Sequence, residues 1–363
     1  LYTRSKKRGD VQKVMQLLVQ FGATEDILVD AHPHIGTNKL PQLIVAIREQ
    51  IIACGGEIHF EHKLTDVLVE HGRIVELELN GQQKVRVSNV ILATGHSARD
   101  IFHLLHKRHI EVKAKPFALG VRVEHTQAFI DKLQYDGRII DEFLPPSSYS
   151  LVTQVDGRGV YSFCMCPGGI IAPCATDEQE VVTNGWSPSK RNNPFSNSGI
   201  VVSIDPTDFS NPEHPFVCLE FQQSIEKASW KAAGKTQKVP AQCLKDFVQR
   251  KKSTEFPRSS YQPGIVSVEM DAIFPPFVLD RLRQAFIDFD KKMPGFVTND
   301  AVIHAPESRT SSPVLIPRDP ESWQHISVSN LYPCAEGAGY AGGIVSAAID
   351  GMNCVSKICQ KEA

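Results

Sequence analysis

The run Glu336-Gly337-Ala338-Gly339-Tyr340-Ala341-Gly342-Gly343 constrains this chain more than any other feature. It opens an apolar, helix-patterned segment, Ile344–Ile358, and residues 337–342 match G-x-G-x-x-G. Glycines in that spacing permit a tight turn and let a backbone approach a pyrophosphate at a helix N-terminus. As the first unit of a dinucleotide-binding fold the run fails. Such a unit needs a helix, a second strand and an acidic residue ~20 positions on, and the sequence stops 20 residues after Gly343. A second use of the same physics survives. A glycine-rich turn that opens a final helix still offers unbonded N–H groups and the positive end of a dipole to an anion or an electron-rich ring edge. The plainer alternative is that these glycines only let a helix pack closely on a strand.

A partner for this turn lies about 240 positions upstream. Val90–Ala93 is a continuous apolar strand, predicted to be buried on both faces as in a parallel sheet, and it runs into Thr94-Gly95-His96-Ser97. Before it, apolar spacing predicts helices at Val11–Phe21 and Leu40–Cys54. Short strands are predicted at Glu57–Phe60, Leu64–Val69, Ile74–Leu79 and Val85–Val87, separated by turn residues. The middle region alternates in Phe117–Glu124, Val160–Cys164 and Ile200–Ile204, with loops at Pro145–Ser150 and Ser187–Ser198. Helices are predicted at Pro215–Ala233 and Pro276–Lys292, the second with proline in its first turn. The expected fold class is α/β: a Rossmann-like dinucleotide-binding domain, incomplete at its N-terminus, over residues 1–112 and 300–363, with an α+β insert over 113–299. No internal repeat is visible.

Composition excludes little but does exclude some classes. With 42% apolar and 22% charged residues the chain reads as globular, and a net charge of −2 gives no footprint for nucleic acid or an anionic membrane. No apolar run approaches the ~20 residues of a spanning helix. Nine scattered cysteines do not read as a disulfide framework, so a soluble protein of a reducing, cytoplasmic compartment is expected. Leu1–Gly9 is basic and polar with no apolar stretch behind it, and the sequence is expected to be a piece of a longer chain.

Several stretches together resemble a known family: Lys6-Lys7-Arg8-Gly9, Gly95–Asp100, Lys115-Pro116-Phe117-Ala118, Gly159–Gly169, Arg309–Pro313 and Tyr332–Gly343. In these the chain resembles the bacterial FAD-dependent (NAD/FAD-utilising) dehydrogenases among the two-dinucleotide-binding-domain flavoproteins. That family carries its strand–G-x-G-x-x-G–helix upstream of the Arg4–Gly9 region, and this sequence begins after it. The resemblance implies an FAD-dependent oxidoreductase that passes hydride through the flavin to or from a small organic substrate. It places Thr94 and Gly95 near the phosphate–ribose portion and Leu64 against adenine. Glu336, Gly337, Ala338 and Gly339 would line the ribityl and pyrophosphate side, in the place where many relatives have an Asp. Gly342, Gly343 and Ile344 would turn N–H groups to the isoalloxazine edge. NAD(P)H is the candidate electron donor, and it would bind without a Rossmann module of its own.

On the substrate side Arg309 is the leading candidate, because a guanidinium can clamp a carboxylate or phosphate in two places. Its alternative is a structural ion pair with Glu307 or Asp319. Tyr161 and Arg122 are further candidates, although both residue types are common in strands. Cys164 and Cys166 share a strand face and read first as structural cysteines, second as pocket lining. Their spacing lacks the second pair a zinc site needs. His32 and His34 pose weakly as ligands. His103, His106 and His109 drift around a helix and suit a solvated face, so no metal is expected. No general acid or base stands out. Two other readings stay open: an NAD dehydrogenase using the terminal turn, which needs a strand after the last helix, and a truncated, non-catalytic binding or interaction module.

Overall fold

The computed structural model describes residues 9–30, 32–136 and 144–362; the Lys6–Arg8 part of the first family-like run lies outside them. The chain is mixed α/β and divides into two compact units. Unit 1 gathers the chain up to Lys115, the stretch Phe209–Cys218 and everything from Ser311; unit 2 holds Pro116–Asp208 and Leu219–Thr310.

Unit 1 starts with α1 (Val11–Gln20), capped by Asp10, whose carboxylate accepts from the Lys13 N–H. Helix α2 (Leu40–Ala53) follows, with proline in its first turn. Val14, Met15, Leu18, Leu43, Val345 and Ile349 form one apolar cluster. From α2 it takes only Leu43 as a buried residue, so Ile44, Ile51 and Ile52 remain exposed. A meander of β1 (Leu64–Glu70), β2 (Arg73–Leu79) and β3 (Gln83–Arg86) matches the predicted strands. The strand predicted at Glu57–Phe60 is absent: those residues run outside any ladder, with Phe60 65% exposed. Alternation alone does not make a strand without a neighbour to bond. Next come β4 (Val90–Leu92), α3 (Arg99–Lys107) and β5 (Lys113–Ala114). His103, His106 and His109 are exposed, as a solvated face requires, and the first two rings lean on Phe216 of the returning stretch.

Unit 2 runs through β6 (Phe117–Thr126), α4 (Gln127–Gln134), β7 (Val152–Val155), β8 (Arg158–Cys166), β9 (Ile170–Pro173), β10 (Thr183–Trp186), β11 (Phe195–Ile204) and α5 (Val217–Ala232). It continues with β12 (Val239–Cys243), α6 (Leu244–Val248), β13 (Ile265–Ser267), α7 (Pro276–Lys292) and β14 (Val302–Glu307). Among the described residues seven of these strands form a mixed sheet in the order β13-β12-β14-β6-β11-β8-β7. Only β12–β13 is parallel within it. β6 is central, so Phe117–His125 are all buried rather than alternating. Helix α7 covers the sheet with Val278, Leu282, Phe286 and Phe289. The chain leaves this unit at Thr310, not near residue 300, because β14 is hydrogen-bonded between β12 and β6. Back in unit 1, β15 (Val314–Leu315) pairs with β5, β16 (Leu331–Pro333) pairs with β4, and α8 (Ile344–Glu362) ends the described chain.

Candidate functional site

The two turns singled out in the sequence meet. Strand β16 pairs with β4 in parallel, Leu331 opposite Val90 and Pro333 opposite Leu92, so both strands deliver their following turns at the same carboxyl edge. The Val90 N–H donates to Asn330 O, and the Cys334 N–H donates to Leu92 O at 3.0 Å. Buried Asn330 anchors the start of β16 by accepting from the Ile74 N–H and donating to Ile74 O and Ser88 O. Val90 and Leu92 are buried, whereas Ile91 is 39% exposed. One face of β4 is therefore covered, in contrast to the two expected of a parallel strand.

Beyond the strands the turns touch. A Cβ on Gly337 would lie 2.6 Å from the Gly95 carbonyl oxygen and 2.9 Å from its nitrogen, a clash between backbones that no rotamer relieves. Gly95 itself has φ +75, a conformation that favours glycine. His96 Nε2 stands 3.8 Å from a Glu336 carboxylate oxygen, and burial raises the pKa of that carboxyl. The rest of the turn is tied back to the segment after β15: Ile316 N–H donates to Ala338 O, and Arg318 N–H donates to the Tyr340 hydroxyl. Gly339 (φ +86) closes the bend, packed on Lys115 and Val314.

The eight-residue run thus splits into two kinds of position. Gly337 and Ala338 are buried and hold the turns together, which is the plainer role open to glycines here. At Gly342 and Gly343, by contrast, a Cβ would meet nothing within 4 Å, and the same is true at Gly95. Ile344 is 52% exposed. Gly342, Gly343 and Ile344 open onto free space at the start of a 19-residue helix, where N–H groups have no carbonyl to bond within the helix; the Gly342 N–H donates instead to Ser346 Oγ at 3.2 Å. Thr94 is exposed beside Gly95, and Leu64 is half-buried at the head of β1. Lys115 went unnoticed as a site residue in the sequence. Antiparallel pairing of β5 with β15 brings its side chain to Gly339, and burial lowers its pKa. Depressions lie elsewhere: one of about 350 Å³ along the meander beside Asp66, Glu76 and Arg108, and two adjoining ones in unit 2, of about 490 Å³ beside Glu124, His125, Pro257 and Arg258 and of about 530 Å³ beside His125, Phe129, Pro257 and Asp300.

The substrate-side candidates all lie in unit 2, and the structure gives both arginines carboxylate partners. Arg309 is 6% exposed and its Nε donates to Glu226 Oε1 at 2.8 Å, with Glu180 3.6 Å away. The ion pair is made with α5 rather than with Glu307 or Asp319. Arg122 is fully buried and bonds Glu307 through Nε at 2.7 Å and Nη2 at 2.9 Å, while Nη1 donates to Asn197 Oδ1. Glycines make room for this pair: a Cβ at Gly185 would lie 2.5 Å from Arg122 Nη1, and one at Gly199 3.0 Å from Glu307 Cγ. Tyr161 is half-buried in β8, and burial raises its phenol pKa.

Cys164 sits at a bulge where β8 slips against β11, with φ +44. A non-glycine residue held there stores strain, a pattern that clusters at ligand sites. Its side chain reaches solvent, yet the surrounding wall of unit 2 desolvates the thiol and pushes it up to about 12. Cys166 is half-buried, its thiol pKa also raised by burial, and its Sγ donates to Cys164 O. Both are protonated thiols at neutral pH.

A family model for FAD-dependent proteins, the C-terminal domain-like family, matches residues 116–310. The chain belongs to that family. The matched span begins and ends where unit 2 does, so the family is shown by the seven-stranded sheet unit and not by the glycine-rich turn. An uncharacterized protein of Clostridium beijerinckii is 37% identical over 352 residues, covering 96% of this chain; the chain spans 66% of that relative's length. Among the described residues no helix is long and apolar enough to cross a membrane.

Proposed function

We propose that this chain is the greater part of an FAD-dependent oxidoreductase of the two-dinucleotide-binding-domain kind, acting on a small organic molecule. Unit 1 supplies a Rossmann-like cofactor edge and unit 2 a substrate domain. The observation that carries the reading is the contrast within one turn: Gly337 is locked against Gly95, while Gly342 and Gly343 stand open at a helix start. FAD fits what these residues offer, since a glycine-faced surface lets a nucleotide approach the backbone closely.

Thr94 and Gly95 would hold one side of the nucleotide, and Gly342, Gly343 and Ile344 the other. Bound there, FAD would supply two-electron hydride chemistry. The chain's own contribution is electrostatic: the N-terminus of α8 favours negative charge placed against it, and Lys115 adds a partly desolvated cation near Gly339. Burial raises the pKa of Glu336, which favours its protonated form more than in an exposed glutamate. NAD(P)H is the proposed electron donor.

A second reading, a binding module without turnover, has one observation in its favour. Arg122 and Arg309 are committed to buried carboxylates, and the Cys164 thiol is protonated, so these three substrate-side candidates supply no acid–base pair. Purifying the complete protein, extracting its chromophore and mixing it anaerobically with NAD(P)H separates the two. Stoichiometric FAD that bleaches on reduction supports the enzyme. FAD that no nicotinamide or organic donor reduces supports the module, and absence of FAD sinks both.

A further inference from the structure

Two thiols meet beneath the glycine-rich turn. Cys334 follows directly on β16, Cys354 lies on α8, and their sulfurs are within 4.8 Å of each other and of an Asp350 carboxylate oxygen. Both are buried, at 2% and 0% exposure, in a cluster with Tyr332, Trp323 and Ile358. Three such groups could suggest a metal site, but Asp350 is already engaged. Its Oδ1 accepts from Arg318 Nη2 at 2.6 Å, and its Oδ2 accepts from Arg318 Nη1 at 2.9 Å and from the Ala335 N–H at 2.7 Å.

The Arg318 guanidinium is held between the rings of Trp323 and Tyr340, 3.8 Å from each centroid, and Nη1 is 3.9 Å from Cys354 Sγ. A fixed positive charge at that range opposes a second cation and favours a thiolate. The Cys334 thiol donates toward Cys354 and, with Arg318 assisting, holds the Cys354 thiol below its ordinary range against the opposing effects of burial and Asp350. The arrangement suits two sulfurs that react with one another better than two that grip a metal.

We propose that Cys334 and Cys354 form a dithiol that closes to an intramolecular disulfide when oxidised by a hydroperoxide. The Cys354 thiolate attacks one peroxide oxygen, the O–O bond breaks, and the departing oxygen leaves as water or alcohol after taking a proton. Cys354 becomes a sulfenic acid. The Cys334 sulfur then attacks Cys354 Sγ, the S–S bond forms, the S–O bond breaks, and a second water leaves with the Cys334 proton. Two thiols lose two electrons, and the peroxide gains them. Hydrogen peroxide is small enough to enter through the local openings that expose buried clusters. The bridge ties β16 to α8 and so fixes both ends of the turn that carries Gly342 and Gly343, whether or not a flavin binds there.

The test treats the full protein with graded hydrogen peroxide, quenches, unfolds and alkylates it, and maps cysteine-containing peptides by mass. The expected product is a linked Cys334–Cys354 peptide pair lacking two hydrogens, restored to two alkylated peptides by dithiothreitol. In Cys334→Ser the bridge is lost and Cys354 goes on to its sulfinic and sulfonic acids. The wild-type map stands by itself if that variant fails to fold. The proposal is overturned if both residues stay alkylatable at peroxide levels that fully oxidise the exposed Cys54 and Cys359. It is also overturned if a stoichiometric metal is released from the untreated protein together with both thiols.

Discussion

Replacing Gly337 and Gly342 by alanine should have opposite consequences, although the two lie five positions apart. At Gly337 the new Cβ would sit 2.6 Å from a carbonyl oxygen, where ordinary contact begins near 3.4 Å. The turns after β4 and β16 must separate by about 0.8 Å, an overpacking strain of ~1–3 kcal/mol. At about 2–4 °C per kcal/mol for a unit of this size, melting should fall by roughly 2–12 °C. At Gly342 the Cβ meets nothing, and no left-handed backbone opposes it, so stability should stay within about 0.5 kcal/mol or rise slightly. Flavin binding should respond in reverse. The Gly342 methyl occupies space proposed for the cofactor, and a tenfold loss of affinity corresponds to about 1.4 kcal/mol. Thermal melting and FAD fluorescence titration on both variants decide the matter. Wild-type affinity in Gly342→Ala, or wild-type melting in Gly337→Ala, would refute the division of roles.

Three further outcomes are expected. Burial lowers the pKa of His125 and His304 from 6.5 to about 4, so each is neutral in the fold. The stability this gives is complete above pH 6.5 and is lost as pH falls toward 4, on the order of 3 kcal/mol for each histidine; urea midpoints that do not drop between pH 6.5 and 4.5 would contradict it. Arg122→Met leaves Glu307 charged and buried and should cost ~3–5 kcal/mol, whereas Arg122→Met with Glu307→Leu should cost clearly less; equal losses in denaturant titrations would show that the pair does not act as one. Ile344→Asp places a carboxylate at the start of α8, which should stabilise the unliganded chain by ~0.3–1 kcal/mol while weakening FAD binding. Tighter FAD binding would mean that the helix start is not where an anionic cofactor lies.

Much of the architecture was legible because local periodicity and tertiary packing agree. The apolar spacing of α1 and of the proline-opened α7 reports faces that are in fact buried, whereas α2, β1 and β2 form where expected but bury one residue each. The turn after β4 reads in the sequence as the partner of the glycine-rich turn, and the strands that carry the two turns pair in parallel. What was not legible depends on partners far away in the chain. β14 reads like the start of the returning domain, yet its hydrogen bonds go to β6 and β12. β6 alternates weakly and is buried on both faces because it is central. The carboxylate that neutralises Arg309 comes from α5, 83 positions away, and spacing along the chain carries no trace of it. The pairing of Cys334 with Cys354 is equally silent, since a strand end and a helix interior share no common period.

Hydrogen exchange with and without FAD tests the central claim most directly, because it reads both turns in one experiment on the complete protein. Peptides covering 90–97 and 336–347 should gain protection together, at one FAD concentration dependence. Protection of neither, or of one without the other, would contradict a nucleotide held between them.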